Sequence, residues 1–340
     1  MNENKISVII CTYNSENTIG DTLKSTFSSS CKDFEVIIVD DCSTDNTVSI
    51  CKNFPVKIIE LKENKGPAFA RNTGVKNSKN DILIFLDSDV TFSPNLFNSM
   101  LTYMKNDPRI AGVGTFSSPI PLNQNFYSQY FALKEHRRLL GLFNGKGQDG
   151  TNFICTRCGC LKKSVFKDIG GFNESYRKPS IEDHEFSMRM KNKYMILYDK
   201  TLFNSHHFPN TFLKICRRYY RNSSEMIQLN LKNKIKKDAS FRKDAYALLL
   251  INFSIILFII GIFFKPLFLI WLITFLMAIL VQRDLFIDFY KSDGLRFMIK
   301  GCFFYCLFSI LITMGLISGF LESIKCQFDT NSKNHVSEIF

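Results

Sequence analysis

Three acidic clusters carry the chemistry this sequence can offer. Asp87-Ser88-Asp89 follows the apolar run Ile82 to Leu86. Two carboxylates one residue apart at a strand end present hard oxygen ligands, which suit Mg²⁺ or Mn²⁺ with positions left for diphosphate oxygens. Such an ion offsets the charge that builds on a departing nucleoside diphosphate. The same three residues could instead be a solvated turn with a helix cap. Asp40-Asp41-Cys42-Ser43-Thr44-Asp45 follows Val36 to Val39. Acids just past a strand end can accept from ribose hydroxyls or a base N–H, and the same residue types also favour turns and caps. Glu182-Asp183 opens a helix after Pro179 and Ser180. A carboxylate held there can take the proton of an attacking hydroxyl, and one base with one displacement gives inversion. The alternative is a pair of helix N-terminal acids stabilised by the dipole.

These clusters need a scaffold, and the first half of the chain supplies one. Ile6 to Thr12 reads as a strand buried on both faces. Helix signals follow over Glu16–Ser29, Thr44–Asn53, Ala68–Asn77 and Asn95–Lys105. Strand signals alternate with them at Phe34–Asp40, Val56–Leu61, Asp81–Asp87 and Ile110–Phe116. Strict alternation predicts a parallel α/β sheet with right-handed crossovers. Ligands of such sheets lie beyond the carboxyl ends of the strands, where the acids fall. The middle is less regular: a helix at Phe126–Leu139, a Gly-rich loop at Gly141–Gly150, a strand pair around Phe153–Leu161, a helix at Ile181–Lys191 and a last strand at Tyr194–Tyr198.

The remainder is built for a different solvent. Ala245 to Phe264 and Gly301 to Phe320 are apolar runs of 20 residues each, long enough to cross a bilayer core. Leu267 to Val281 is apolar but shorter, so the chain has two or three spans, with Arg283 to Arg296 as a cytoplasmic amphipathic loop. The net charge is +12, and ten Lys or Arg against two acids lie between Thr211 and Lys243. A basic stretch beside an apolar run marks the cytoplasmic side and favours anionic lipid headgroups; no nucleic-acid motif accompanies it. The start runs into a strand with no long apolar segment, so the front domain is expected in the cytoplasm. There the eleven cysteines are reduced. Cys155, Cys158 and Cys160 are read as small apolar strand residues rather than a zinc site, which would want a fourth ligand.

Four ordered segments together resemble the family 2 glycosyltransferases with a GT-A fold. They are Ser7 to Asn14, Val39 to Asp45, Lys65 to Gly74 and Leu86 to Asp89, followed by Ile169 to Glu174 and Glu182-Asp183. The resemblance covers residues 5 to 210 and implies roles at matching positions. Thr12, Tyr13, Asp40 and Asp41 line the nucleoside pocket, and Arg71 lies near the donor. Asp87 touches ribose or metal, and Asp89 holds a Mn²⁺ or Mg²⁺ ion with the diphosphate. Asp183 is the base, with Glu182 beside it. His206 or His207 supplies a late metal or phosphate contact, or is a structural histidine. Two departures stand out. Arg157-Cys158-Gly159-Cys160 replaces a common Gly-Gly-Asn stretch on the wall that faces the acceptor. Arg217-Arg218-Tyr219-Tyr220-Arg221 lacks the Trp of processive synthases, which argues against polymer threading.

The expected organisation is a GT-A domain over 1–210, a basic juxtamembrane linker over 211–243, a transmembrane region over 244–321 and a polar tail over 322–340. The expected activity is inverting, metal-dependent transfer from a nucleotide-sugar to a hydroxyl of a lipid-linked or membrane-associated glycan, at the cell membrane, by a multi-pass protein. Two alternatives remain: sugar transfer to a polyprenyl phosphate, and an idle sugar-nucleotide-binding membrane scaffold.

Overall fold

A computed structural model describes residues 5–143, 153–190, 193–233 and 239–337. In chain order the first part holds β1 (Ile6–Thr12), α1 (Ile19–Phe27), β2 (Phe34–Asp40), α2 (Thr47–Cys51), β3 (Lys57–Glu60) and α3 (Pro67–Lys76). Then come β4 (Ile82–Asp87), β5 (Val90–Phe92), α4 (Leu96–Asn106), β6 (Ile110–Ser117) and α5 (Phe126–Phe143). The rest is β7 (Cys158–Lys162), α6 (Lys163–Ile169), α7 (Glu182–Met190), β8 (Met195–His206), α8 (Phe212–Asn233), α9 (Ala239–Gly261), α10 (Leu267–Val281) and α11 (Arg283–Ser337). The chain divides into two compact units. One comprises Met1–Gln124 and Leu139–Phe208; the other comprises Asn125–Arg138 and Pro209–Phe340.

The first unit is one eight-stranded sheet in the order β3-β2-β1-β4-β7-β6-β8-β5. Alternate side chains of each central strand enter cores on opposite faces, as the two-residue period requires. Ile6, Val8 and Ile10 of β1 join Val36 and Ile38 of β2 and Ile84 and Leu86 of β4. Ile9, Leu83 and Phe85 point the other way, toward Phe166, Phe172 and Phe186. Fully burying one such side chain contributes about 1.5–3 kcal/mol.

The sheet is mixed rather than wholly parallel. The strands β1, β2, β3 and β4 pair in parallel. After α5 the chain returns in the opposite sense, so β7 is antiparallel to both β4 and β6. The expected strand pair around Phe153–Leu161 is a single strand, β7, because the chain from Phe153 to Arg157 is not in strand conformation. The last strand does not end at Tyr198 but runs twelve residues to His206. It pairs in parallel with β6 and antiparallel with the three-residue β5. Most of the Gly-rich stretch, 144–150, lies outside the described residues, and Gly141 belongs to α5.

In the second unit the basic stretch is not a linker over its first part, Phe212–Asn233, which is helix α8; residues 234–238 lie outside the described residues, and α9 begins at Ala239. Among the described residues two helices are long and apolar enough to cross a membrane, with windows Asp244–Gly261 and Arg283–Lys325; α10 is shorter. Arg283 to Arg296 is not a loop. It is the start of α11, interrupted only where Asp293 and Gly294 leave helical geometry, and it is anchored by Arg137 Nε on Asp288 Oδ2 at 2.7 Å. Gly315 and Gly319 let α8 and α11 meet backbone to backbone. A Cβ on either would be driven into the carbonyl oxygen of Tyr220 or Ser224. Gln228 Nε2 donates to Glu322 Oε2 at 2.6 Å, further along the same pair. This paired stretch of α8 carries Lys214, Arg217, Arg218 and Arg221, and one Lys or Arg at mid-bilayer is disfavoured by about 2.5–3.5 kcal/mol.

Packing around Gly114 of β6 tests the core. A Cβ there would collide with the ring of Tyr198, whose hydroxyl oxygen accepts the Cys155 N–H at 3.1 Å. Gly114→Ala should therefore destabilise the protein by about 1–3 kcal/mol through overpacking, read as a lowered Tm. Adding Tyr198→Leu should recover part of that loss.

Candidate active site

The site is assembled where β1, β2 and β4 end. Asp87 closes β4, and Asp89 lies two residues on, just before β5. The register of β5 on β8 puts Val90 opposite His206, and His207 N–H donates to Asp89 O at 3.1 Å. That pairing brings the His206 imidazole against the acid, with Nε2 3.0 Å from Asp89 Oδ1. One ligand atom from each of Asp87, Asp89 and His206 lies within 4.8 Å of the others, and this is the one such cluster among the described residues. Two carboxylates and an imidazole are a donor set that fits Mg²⁺ or, with its nitrogen, Mn²⁺. The His206 Nδ1 is buried with no hydrogen-bond partner. Burial would raise the Asp89 carboxyl, but the bonded His206, with Arg157 and His207, holds it below its ordinary range.

Arg71 ties this cluster to the other acids. It sits on α3, buried, and its guanidinium reaches Asp87 Oδ1 at 2.9 Å and Glu182 Oε1 at 2.7 Å. Glu182 is also buried, and its second oxygen accepts the Ser180 N–H at 2.9 Å. Burial alone would raise the Glu182 carboxyl, but the Arg71 charge and hydrogen bond outweigh it and hold it below 4.5. Glu182 is thereby engaged, while Asp183, next in the first turn of α7, is half-buried and accepts the His184 N–H at 2.8 Å.

The second cluster acts as a loop clamp. Both Asp41 oxygens accept backbone N–H groups, from Lys65 at 2.7 Å and Gly66 at 2.8 Å. Gly66 has φ +88°, and its α-carbon faces the Arg177 carbonyl with no room for a side chain. Burial raises the Asp41 carboxyl although those N–H groups pull it back. Asp40 accepts the Ser43 N–H at 2.9 Å. Thr12 is buried, its hydroxyl has no hydrogen-bond partner, and the neighbouring Tyr13 is 50% exposed. Asn14 and Cys42 both hold positive φ, 48° and 67°, a conformation that is costly for Cys. Reciprocal bonds fix it: Asn14 N–H to Ser43 Oγ at 2.9 Å, and Thr44 N–H to Asn14 Oδ1 at 2.8 Å.

Arg157, expected only as part of an acceptor-facing wall, supports the acid pair directly. Its carbonyl accepts the Asp87 N–H at 2.9 Å. Its buried guanidinium donates to the Ser117 hydroxyl and lies over the Phe208 ring. A lone charge in a cysteine-rich run was the signal available. Burial pushes the Cys158 and Cys160 thiols up to about 12, and both side chains lie in an apolar core.

Removal of Arg71 should be felt as stability. Arg71→Met leaves buried Glu182 without its cation and should cost about 3–5 kcal/mol near neutral pH. In the wild type, the depressed Glu182 carboxyl contributes stability that is present above 4.5 and is lost as pH falls through the folded value. The gap between the two proteins in thermal unfolding should therefore narrow as pH drops below 4.5. A gap independent of pH would refute the pairing.

Comparison with known proteins gives this arrangement a family. Residues 7–170 match the family described as Glycosyl transferase family 2. The chain is 33% identical over 190 residues to an uncharacterized glycosyltransferase of Haemophilus influenzae, covering 54% of this chain and 61% of that protein. It is 30% identical over 172 residues to the poly-beta-1,6-N-acetyl-D-glucosamine synthase of Staphylococcus epidermidis, covering 48% and 41% respectively. It thus spans less than two thirds of the length of these relatives. Among solved structures it is similar to the mannosyltransferase PcManGT from Pyrobaculum calidifontis in complex with GDP-Man and Mn²⁺. That match has a TM-score of 0.56 at 16% identity, covers 94% of this chain and 87% of that one, and reports on the fold. With four ordered motifs at the carboxyl edge of a mostly parallel sheet, residues 7–170 form a family 2 glycosyltransferase domain, and its fold is of the GT-A type.

Proposed function

We propose that the protein is an inverting, metal-dependent glycosyltransferase that moves a sugar from a nucleotide-sugar to a hydroxyl of a lipid-linked or membrane-associated glycan. The observation that carries this reading is the bridge from half-buried Asp87 through buried Arg71 to buried Glu182. It joins the strand end bearing the acid pair to the helix turn bearing Asp183. A solved structure of the same fold holds GDP-Man and Mn²⁺, and a curated relative is a poly-N-acetylglucosamine synthase; both fit a nucleotide-sugar donor.

Asp87, Asp89 and His206 would hold the divalent ion, which when bound offsets charge on the leaving diphosphate. Thr12, Tyr13 and the loop clamped by Asp40 and Asp41 would receive the nucleoside. Asp183 takes the proton from the acceptor hydroxyl as its oxygen attacks the anomeric carbon. The new glycosidic bond forms as the bond from that carbon to the phosphate oxygen breaks, and the nucleoside diphosphate leaves with the electron pair. Glu182, neutralised by Arg71, holds the first turn of α7 and leaves proton transfer to Asp183.

The apolar helices fit anchorage in a membrane; in this reading the protein is multi-pass and its catalytic domain faces the cytoplasm, the side on which basic residues such as those of α8 belong. Anchorage would raise the effective concentration of a lipid-borne acceptor.

Three measurements test the chemistry. Asp183→Asn should lower transfer to a hydroxyl acceptor by about 10²–10⁴-fold while nucleotide-sugar binding stays intact. Near-normal turnover would remove the base and favour an acceptor that is already ionised, such as a polyprenyl phosphate. Chelation should abolish transfer and added Mn²⁺ should restore it. Mn²⁺ should also raise the Tm of the wild type but not of Asp89→Ala, and an equal rise in both would refute the site.

A further inference from the structure

The partnership of α8 with α11 bears on how the protein meets the membrane. The contacts advance together along both helices: Phe308 stacks on Phe212 and packs at a tilt against Tyr219, Gly315 meets Tyr220, Gly319 meets Ser224, and Glu322 accepts from Gln228. The two helices therefore run side by side and in the same direction along most of the apolar stretch from Gly301 to Phe320. The face of α11 away from these contacts is apolar and open, with Phe303 64% exposed, Ile310 36% and Ile317 54%. Met314 and Leu321 continue it at helical spacing. Lys214 and Arg217 of α8 are exposed, and Arg218 lies over the Phe131 ring.

A perpendicular crossing by α11 would carry Lys214, Arg217, Arg218 and Arg221 into the hydrocarbon with it. A flat pose does not. It sinks one apolar face into the acyl boundary and leaves the cations among phosphates, the arrangement of interfacial amphipathic helices. We propose that the α8–α11 pair docks in the plane of an anionic bilayer surface, so that Gly301–Phe320 does not cross. The α9–α10 hairpin is then the inserted element. This inference rests on the membrane reading above, and its test separates the two.

The chain has one tryptophan, Trp271, in α10. The full-length protein is reconstituted in phosphatidylcholine–phosphatidylglycerol vesicles containing lipids brominated near either the headgroup or the chain ends. Wild-type Trp271 reports the hairpin. In a Trp271→Phe background, Phe303→Trp, Ile310→Trp and Ile317→Trp each report α11 on a side chain that is already exposed. At 1.5 Å rise per residue the outer two lie about 21 Å apart along the axis. In-plane docking predicts equal quenching of all three by the shallow bromines, none by the deep ones, and loss of the shallow quenching when phosphatidylglycerol is omitted. A shallow–deep–shallow sequence would overturn it, as would no quenching on α11 while Trp271 is quenched. Unquenched Trp271 would overturn the membrane reading itself, and the docking with it.

Discussion

Most of what this catalytic unit can do depends on one buried cation. Arg71 comes from α3, yet its two acidic partners come from the end of β4 and the start of α7, the second of them 111 residues away in sequence. An ion pair taken out of water gains nothing unless geometry and further hydrogen bonds satisfy it. Here the Ser180 N–H completes Glu182. The bridge therefore fixes position more than it adds stability. It holds the first turn of α7 against the strand that carries Asp87, so that a base candidate and a metal candidate share one rigid frame.

Around that frame, backbone donors take up much of the acidic cluster on β2. Asp41 looks in sequence like a free carboxylate beyond a strand, but its oxygens are satisfied by Lys65 and Gly66. Its work is to hold the loop that begins α3, and hence Arg71. The strained backbone at Asn14 and Cys42 is locked in the same way by side chains from the opposing loop. Such strain persists only where neighbours over-determine it, which gives the chain after β1, next to Thr12 and Tyr13, a preset course.

The legible parts of the sequence were those with strong local patterns. The apolar runs of β1, β2 and β4 declared a buried sheet, and the acids at their ends declared a site. The illegible parts depended on partners distant in sequence. A strand such as Cys158–Lys162 carries no mark of direction, so its antiparallel place between β4 and β6 could not be read. Three residues cannot announce β5, so the resemblance could name His206 as a metal contact but not the strand pairing that sets it against Asp89. The charged residues from Arg283 to Arg296 looked like a loop because charge was weighed above the buried face of Leu285, Phe286 and Phe289, which holds that segment in a helix.

The parallel sense of α8 and α11 has a further consequence. Because both helices point the same way, the chain between them must leave one end of the pair and return to the other, and the α9–α10 hairpin lies within that excursion. Among the described residues the side-chain hydrogen bonds to it are few: Asn252 to Thr313 at 3.0 Å links it to α11, and Gln282 to Asp244 at 3.0 Å closes its own base. An excursion so lightly tied can be lengthened or shortened without disturbing the glycine contacts that seal the pair. Lineages facing bilayers of different thickness could thus retune the hairpin for hydrophobic mismatch while the transferase domain keeps its geometry unchanged.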